Sequence, residues 1–179
     1  MASPISCLSI LIIPLLVTSL FYNVSNADQP LLEKVCKKTM DHDFCMSVLL
    51  SDQDGLTNVL YTLGLASTSV SLKIISDFSG EIENVLIGVT NPVDRTRILN
   101  CITNTYDIYE KMQLARNAVG TQSYVEEASL LTAAQLKITE CNNQFESHPK
   151  HVSPISNHTS KLMKLISISS VIISMITSS

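Results

Sequence analysis

Glycine is scarce in this chain, with five residues out of 179. The sequence also lacks runs of short alternating strands bounded by turn signals, which argues against an all-β fold. From Leu56 onward, apolar or small residues recur every three or four positions, the period of a helix that faces a core. The predicted fold class is therefore all-α.

Catalytic motifs are missing as well. The chain has no GxSxG elbow, no phosphate-cradling glycine loop and no dinucleotide fingerprint. Glu126 and Glu127 form a carboxylate pair, but neighbours on a helix of 3.6 residues per turn point about 100° apart. They cannot flank one bond as glycosidase carboxylates do. We expect no catalytic residue and no enzymatic activity.

Metal-ligand patterns are incomplete. The segment Asp52-Gln53-Asp54-Gly55 resembles the opening of a calcium loop, but Leu63 stands where the bidentate Glu belongs. His148 and His151 have only Glu146 near them in sequence, which leaves a metal short of a ligand, so we interpret these histidines as solvated loop residues. No metal and no cofactor are expected.

The chain has too few clustered positive charges to bind nucleic acid electrostatically. The formal net charge is −4, whereas nucleic-acid binding needs clustered Lys and Arg. The clusters Lys37-Lys38 and Arg95 with Arg97 are short, and we interpret them as solvated surface. No nucleic-acid partner is expected.

Residues 1–27 contain no charged side chain. They hold an apolar run from Leu8 to Phe21 and end in Ser25-Asn26-Ala27, which is typical of a secretory signal peptide. We predict cleavage after Ala27 and secretion to the extracellular space. No stable membrane insertion of the mature chain is expected.

Four cysteines remain once Cys7 is removed with the signal peptide: Cys36, Cys45, Cys101 and Cys141. An even number in an oxidising compartment predicts disulfides. A zinc site is the rival interpretation, but zinc ligands usually include close pairs such as CxxC, and the chain has none. The short spacing suits a small hairpin, and the long spacing flanks two helix-length segments.

The mature chain is predicted to be one domain built from two parts. Residues 28–51 form an N-terminal helical hairpin with short helices at 31–38 and 44–50. Residues 52–179 form a bundle of four helices. A disulfide between Cys36 and Cys45 would close this hairpin, which buries little by itself and must pack on the bundle.

Capping signals set the predicted bounds of the long helices. The first follows the N-cap Asp54 and stops at Gly80, before a short separate piece. The second begins at Asn91-Pro92 and ends at Gly120, and Thr121 caps the third. The residues predicted to face inward are Leu56, Leu60, Leu63, Ser67, Val70, Ile74 and Phe78, then Leu99, Ile102, Tyr106, Tyr109 and Met112 or Gln113, then Tyr124, Ala128, Leu131, Gln135, Ile138 and Phe145.

The second cysteine pair tests this arrangement. Cys101 and Cys141 lie equally far from residue 121, in the turn between the second and third long helices. A turn this tight makes the two helices antiparallel neighbours. Because both rise about 1.5 Å per residue, the cysteines reach the same height, and a disulfide fits there.

The last segment, residues 156–175, is continuous in apolar residues and serine after Lys164. It can be a transmembrane span, the tail of a lipid-anchor signal or a buried fourth helix. The apolar stretch 165–176 is shorter than the roughly 20 residues that a span needs. Because three helices with apolar faces need a fourth partner, we predict a buried closing helix, with the anchor signal as the alternative.

Two N-glycosylation sequons are present. Asn23-Val24-Ser25 lies inside the predicted signal peptide and is lost with it. Asn157-His158-Thr159 lies at the start of the last helix. We expect Asn157 to carry a glycan if it is exposed.

Two motif sets carry a resemblance to a known family. Cys36-x2-Thr39-x5-Cys45 followed by Leu49, and Leu99-x-Cys101 followed by Ala133-x7-Cys141, resemble the signatures of the plant invertase and pectin methylesterase inhibitor family, in particular its pollen-type members. The resemblance implies a helical hairpin before an antiparallel up-down four-helix bundle, with disulfides pairing the first cysteine with the second and the third with the fourth. It also implies reversible inhibition of a secreted carbohydrate-active enzyme in a 1:1 complex, in the apoplast or cell wall, with the vacuole as the alternative location.

Two departures bear on the target enzyme. The family commonly has a tyrosine four residues after the third cysteine, where this chain has Thr105. Some invertase inhibitors carry a Pro-Lys-Phe motif early in the third long helix, where this chain has Gln122-Ser123-Tyr124. These departures tilt the expected target slightly from acid invertase toward pectin methylesterase.

An inhibitor of this kind works by filling the substrate cleft of its target. The hypothesis is that polar residues near the turn between the second and third long helices form part of the contact face: Lys111, Arg116, Tyr124, Glu126 and Glu127. Two alternatives stay open at this point. The chain can be a helical carrier of a lipid or small ligand, or a family member that inhibits nothing.

Overall fold

The structure, a computed structural model, describes residues 29–178. The predicted signal peptide and the sequon at Asn23 lie outside the described residues. Within the described range the chain is helical, with no strand. Its α-helices are α1 Gln29–Cys36, α2 His42–Leu49, α3 Leu60–Gly88, α4 Pro92–Gly120, α5 Tyr124–Glu146 and α6 Ser156–Thr177.

Helices α3 to α6 form an antiparallel four-helix bundle. Each packs on two neighbours in the cyclic order α3, α4, α5, α6. We call the end that carries the α4–α5 turn, residues 121–123, the turn end. The end that carries the α5–α6 linker, residues 147–155, is the linker end. This architecture confirms the predicted all-α, up-down bundle preceded by a hairpin.

The hairpin of α1 and α2 lies on α3 and α6. Cys36 and Cys45 are disulfide-bonded, with their Cα atoms 5.4 Å apart. Asp41 is the N-cap of α2, because its Oδ1 accepts the Phe44 backbone N–H at 3.0 Å. Its other oxygen accepts from Lys164 Nζ of α6 at 2.8 Å. One carboxylate thus both caps the hairpin helix and anchors the hairpin to the bundle.

The predicted bounds of the first long helix are wrong at both ends. Asp54 lies in a short 3₁₀ turn, Gln53–Gly55, that is capped by Asp52. Helix α3 begins only at Leu60 and continues through Gly80 to Gly88. A glycine in a helix interior costs about 1 kcal/mol. Burial of Ile82 against the linker-end core offsets that cost, so the helix does not stop.

Helix α4 confirms its predicted cap and part of its predicted face. Asn91 Oδ1 accepts the backbone N–H groups of Val93 and Asp94, and Pro92 opens the helix. Ile102 and Met112 are buried as predicted, whereas Leu99 and Tyr106, also predicted to face inward, are 49% and 57% exposed. The other buried positions are Arg97, Ile98, Cys101, Thr105, Ile108, Ala115, Ala118 and Val119. The prediction favoured large side chains, whereas this helix packs on two neighbours through many small ones.

Thr105 lies where the family commonly has tyrosine, and it faces the core. Its side chain is 2% exposed, and its hydroxyl donates to the Cys101 carbonyl at 2.9 Å. The neighbouring Tyr106 points outward, with its hydroxyl 3.5 Å from Glu83. The helix is therefore not rotated to bring a tyrosine inward, and a small hydroxyl residue fills the place.

Helix α5 begins at Tyr124, and Thr121 does not cap it. Thr121 Oγ1 instead donates to the Ala118 carbonyl at 3.2 Å, which finishes α4. Leu131, Ile138 and Phe145 are buried as predicted, whereas Ala128 is exposed and Glu127 takes the inward position. Acidic residues in a first turn usually favour solvent, so the local pattern did not indicate this exchange.

The second disulfide joins α4 to α5 near the linker end. The Cα atoms of Cys101 and Cys141 are 5.0 Å apart. The bond lies in a small apolar cluster with Ile98, Ile102 and Phe145. A larger cluster fills the rest of the bundle and the contact with the hairpin.

Helix α6 closes the bundle between α3 and α5. Its 22 residues are long and apolar enough to cross a membrane by length and composition, with a mean hydropathy of 1.4 and half of the tested window buried in the fold. Leu162, Leu165, Ile166 and Ile172 are at most 1% exposed. Ser169 Oγ lies 3.2 Å from Ser67 Oγ of α3 in the buried seam. The segment is thus packed as the buried fourth helix that the sequence predicted.

Candidate partner-binding surface

An open groove of about 720 Å³ lies at the turn end, between the start of α5 and the end of α6. We call it the turn groove. Two of the predicted contact residues, Tyr124 and Glu126, lie in it. The complete lining is Gln122, Ser123, Tyr124, Val125, Glu126, Ser129, Leu130 and Thr177.

Backbone geometry holds the rim of the turn groove in place. Gln122 has a φ of 57°, in the left-handed region, and this reverses the chain between α4 and α5. The Ser123 N–H donates to the Ala118 carbonyl at 2.8 Å. Ser123 Oγ also lies 3.1 Å from Thr121 Oγ1. The first turn of α5 is therefore presented from a short, hydrogen-bonded connection.

Val125 is an exposed residue of the turn groove that sequence reasoning missed. It is an apolar side chain that is 86% exposed in the first turn of α5. A single exposed apolar residue is ordinary on a protein surface, but Val125 lies in one groove with Tyr124 and Leu130, and aromatic residues are enriched at interfaces. The available signal was that Val125 falls outside the predicted inward set of its helix.

Glu127 does not belong to this surface. Its side chain is 1% exposed, and its Oε2 is buried without a hydrogen-bond partner among the described residues. Burial raises the pKa of this carboxyl from 4.5 to about 8, because the low-polarity surroundings disfavour the charged form. The prediction that Glu127 contacts a partner is therefore corrected, since a buried carboxyl cannot reach one.

Arg116 and Lys111 lie apart from the turn groove. Arg116 Nε donates to Ser69 Oγ of α3 at 2.8 Å, and the guanidinium lines a depression of about 310 Å³ on the α3–α4 side. Lys111 Nζ lies 3.7 Å from Glu110 on the same helix. The structure thus groups Tyr124 with Glu126 and separates them from the two basic residues.

A second open groove, of about 780 Å³, lies at the linker end. We call it the linker groove. Met40 of the hairpin and Val152 of the linker line this groove, and they are 70% and 93% exposed. Its basic residues are paired within the molecule: Lys150 with Glu146, and Lys164 with Asp41. The linker groove offers apolar surface but little unpaired charge.

A buried arginine ties the linker to the bundle. Arg97 is 7% exposed, and its Nη2 donates to the carbonyls of Ser147 and Pro149, each at 2.9 Å. Asp94 lies 3.5 Å from Arg97 Nη1 and 2.7 Å from His151 Nδ1. The interpretation of Arg97 and His151 as solvated surface is therefore corrected: both organise the linker.

In the part of the chain that the structure describes, no three His, Cys, Asp or Glu side chains are grouped as metal ligands would be. The fold defines a class: a disulfide-braced bundle of helices with an open groove at its turn end.

The family follows from comparison with known proteins. A family model described as plant invertase/pectin methylesterase inhibitor matches residues 30–172. The chain belongs to this family, whose members inhibit enzymes and are not enzymes themselves. A search of curated protein sequences finds no significant match.

Two solved structures share the fold. One is a mutant form of a pectin methylesterase inhibitor from Arabidopsis, with a TM-score of 0.67 and 15% identity over 80% of this chain and 95% of that one. The other is a pectin methylesterase inhibitor from Arabidopsis thaliana, with a TM-score of 0.58 and 15% identity over 83% of this chain and 97% of that one. At this identity the likeness concerns the fold alone.

Proposed function

We propose that the protein is secreted and inhibits a plant pectin methylesterase in a 1:1 complex. The family supplies the inhibitory role, and the choice of this enzyme over acid invertase is our own. It is supported by the segment Gln122-Ser123-Tyr124, which replaces the Pro-Lys-Phe motif of some invertase inhibitors at the rim of the turn groove. The observation that carries the proposal is the exposed, braced first turn of α5.

Inhibition follows from occlusion rather than chemistry. Ordering a flexible surface on binding subtracts from affinity. The first turn of α5 is already ordered by the hydrogen-bonded turn before it and by the helices that pack on α5. The turn groove and its residues Tyr124, Val125 and Glu126 can therefore bind a partner without a large entropic penalty.

The turn groove alone is too small for a stable complex. Specific interfaces bury about 1,200–2,000 Å² in total, so neighbouring exposed residues of α4 and α5 must contribute. We place Tyr124 near the centre of the contact, because tyrosine is enriched among the residues that dominate binding energy, and Val125 beside it as an apolar contact. Glu126 is assigned to the polar rim.

The test uses residues 28–179 with both disulfides formed. The protein is mixed with purified pectin methylesterase and, separately, with acid invertase, and residual activity and complex formation are measured. We expect loss of pectin methylesterase activity at equimolar ratio and little effect on invertase. Inhibition of invertase alone would reverse our choice of target, and inhibition of neither would place the chain among inactive family members.

The contact itself is tested with two matched substitutions. Val125→Ala and Val152→Ala each shorten a side chain that is more than four-fifths exposed, one at the turn end and one at the linker end. Val125→Ala should weaken inhibition, and Tyr124→Ala should weaken it by about tenfold or more. Val152→Ala should leave it unchanged, and the reverse pattern would move the contact to the linker end.

The carrier alternative gains no support from the geometry. The turn groove and the linker groove both open to solvent, and the buried faces of the bundle helices pack in continuous apolar clusters. A carrier needs an enclosed apolar volume that removes most of its ligand from water. Uptake of fatty-acid probes in stoichiometric amounts by delipidated protein would overturn this judgement.

A further inference from the structure

Asn157 is placed where a modification can be accommodated. It is the second residue of α6 and is exposed to solvent, with no side-chain hydrogen bond among the described residues. Thr159, which completes the sequon, is 4% exposed and donates its hydroxyl to the Ser156 carbonyl at 3.1 Å. A group attached to Asn157 would therefore lie outside the packed core, while Thr159 makes a hydrogen bond within the first turn of α6.

A small hollow of about 130 Å³ lies directly beside Asn157. We call it the Phe78 hollow, and its lining is Phe78, Glu81, Asn157, His158 and Lys161. The His158 ring meets the Phe78 ring edge-on, with centroids 5.4 Å apart. Lys161 Nζ lies 4.9 Å from the Phe78 centroid, and Glu81 lies 3.5 Å from His158.

The chemistry of this hollow suits a sugar. The His158 ring, whose side chain is 21% exposed, and the alkyl stem of Lys161 give an apolar contact for the C–H face of a pyranose, above the Phe78 ring, which is itself 2% exposed. The Glu81 carboxylate accepts hydrogen bonds from sugar hydroxyls or an acetamide N–H, and the Lys161 ammonium donates to sugar oxygens. Both charged groups stand at the rim, so neither has to be desolvated in isolation.

We propose that Asn157 carries an N-linked glycan and that its first N-acetylglucosamine packs into the Phe78 hollow. The site is at the linker end. Helix α5 has 23 residues, which at 1.5 Å per residue separates the two ends of the bundle by about 33 Å. The glycan therefore leaves the turn groove free. The inference rests on secretion of the chain but not on the identity of the inhibited enzyme.

The first experiment measures the mass of the secreted protein. The full chain is expressed in a eukaryotic secretory host as wild type and as N157Q, T159S and N23Q. We expect one glycan on the wild type, on T159S, which keeps the sequon, and on N23Q, and none on N157Q. A wild-type mass equal to that of the bare polypeptide would overturn the proposal. No target enzyme takes part, so a failure here is separate from a failure of inhibition.

The second experiment tests the packing of the first sugar. An endoglycosidase trims the glycan to a single N-acetylglucosamine, and the trimmed protein is compared with N157Q. We expect the trimmed protein to keep the higher unfolding temperature of the intact glycoprotein and to protect Lys161 from acylation. The exposed Lys73, on α3, should react equally in both. If trimmed protein and N157Q match in unfolding temperature and in Lys161 labelling, the sugar does not occupy the hollow.

Discussion

Replacing Glu127 with glutamine should stabilise the protein at neutral pH and abolish part of its pH dependence. The carboxyl is 1% exposed, and burial raises its pKa from 4.5 to about 8. In the unfolded chain the group ionises above its ordinary pKa, whereas in the fold it stays protonated until about pH 8. Because the native state then binds more protons, stability is greatest below pH 4.5 and falls as the pH rises toward 8.

The magnitude follows from the width of that window. One pKa unit corresponds to 1.36 kcal/mol, so at pH 7 the buried carboxyl lowers the free energy of unfolding by up to about 3 kcal/mol relative to acidic pH. Glutamine has nearly the same shape and no ionisable proton. The increase in the free energy of unfolding caused by Glu127→Gln should therefore be small at pH 4 and approach about 3 kcal/mol at pH 7.

Urea unfolding measures this pH-dependent change in the free energy of unfolding. Wild type, E127Q and E126Q are unfolded at pH 4, 5.5 and 7, and the free energies of unfolding are compared at each pH. Glu126 is the matched control, because it is the adjacent carboxyl and is exposed. A gain from E127Q that does not change with pH, or an equal gain from E126Q, would refute the assignment of a buried neutral carboxyl.

Other predictions concern the braces of the fold. Removing the second disulfide by replacing Cys101 and Cys141 with alanine should lower the free energy of unfolding by about 4 kcal/mol, because it frees a loop whose ends are 40 residues apart; unchanged denaturant midpoints would contradict this. Arg97→Ala should cost about 1–3 kcal/mol by leaving two linker carbonyls without their donor, and hydrogen exchange should rise at residues 147–155 and not in the hairpin. His42 is bonded to Asp43 and Glu33, which raise the pKa of its imidazole. That contribution is present below pH 6.5 and lost as the pH rises through the folded-state value. The protection factors of the hairpin amides, which correct exchange for its intrinsic acceleration with pH, should therefore fall between pH 5 and pH 8 in wild type but not in His42→Gln.

Local signals predicted those features that depend on neighbouring residues along the chain. The pair Asn91-Pro92 predicts an N-cap followed by a helix start, and α4 begins at Pro92. The equal distances of Cys101 and Cys141 from the turn likewise need only helix geometry. These features follow from short-range rules, so the sequence was sufficient for them.

Features that depend on tertiary packing escaped the same rules. Gly80 is a local stop signal, but the burial of Ile82 against other helices keeps α3 intact. Tyr106 is a good core candidate by size, yet α4 approaches its neighbours through Thr105 and small residues. The inward position of Glu127 contradicts the usual solvent exposure of a first-turn acid.

The candidate surface was predictable only in part. Tyr124 and Glu126 lie near the turn, whose position the sequence indicates, and their contact with a partner stays a prediction. The turn groove also needs Thr177 from the end of α6, and no local pattern brings that residue to α5. Val125 gains its significance from this neighbourhood rather than from its own type.

Titration of pectin methylesterase with the mature, oxidised protein tests the central claim most directly. Residual activity is followed while wild type, Val125→Ala or Val152→Ala is added to a fixed amount of enzyme. We expect complete inhibition at equimolar wild type, weaker inhibition by Val125→Ala, and inhibition by Val152→Ala that equals that of wild type. Full enzyme activity in the presence of excess wild-type protein would contradict it.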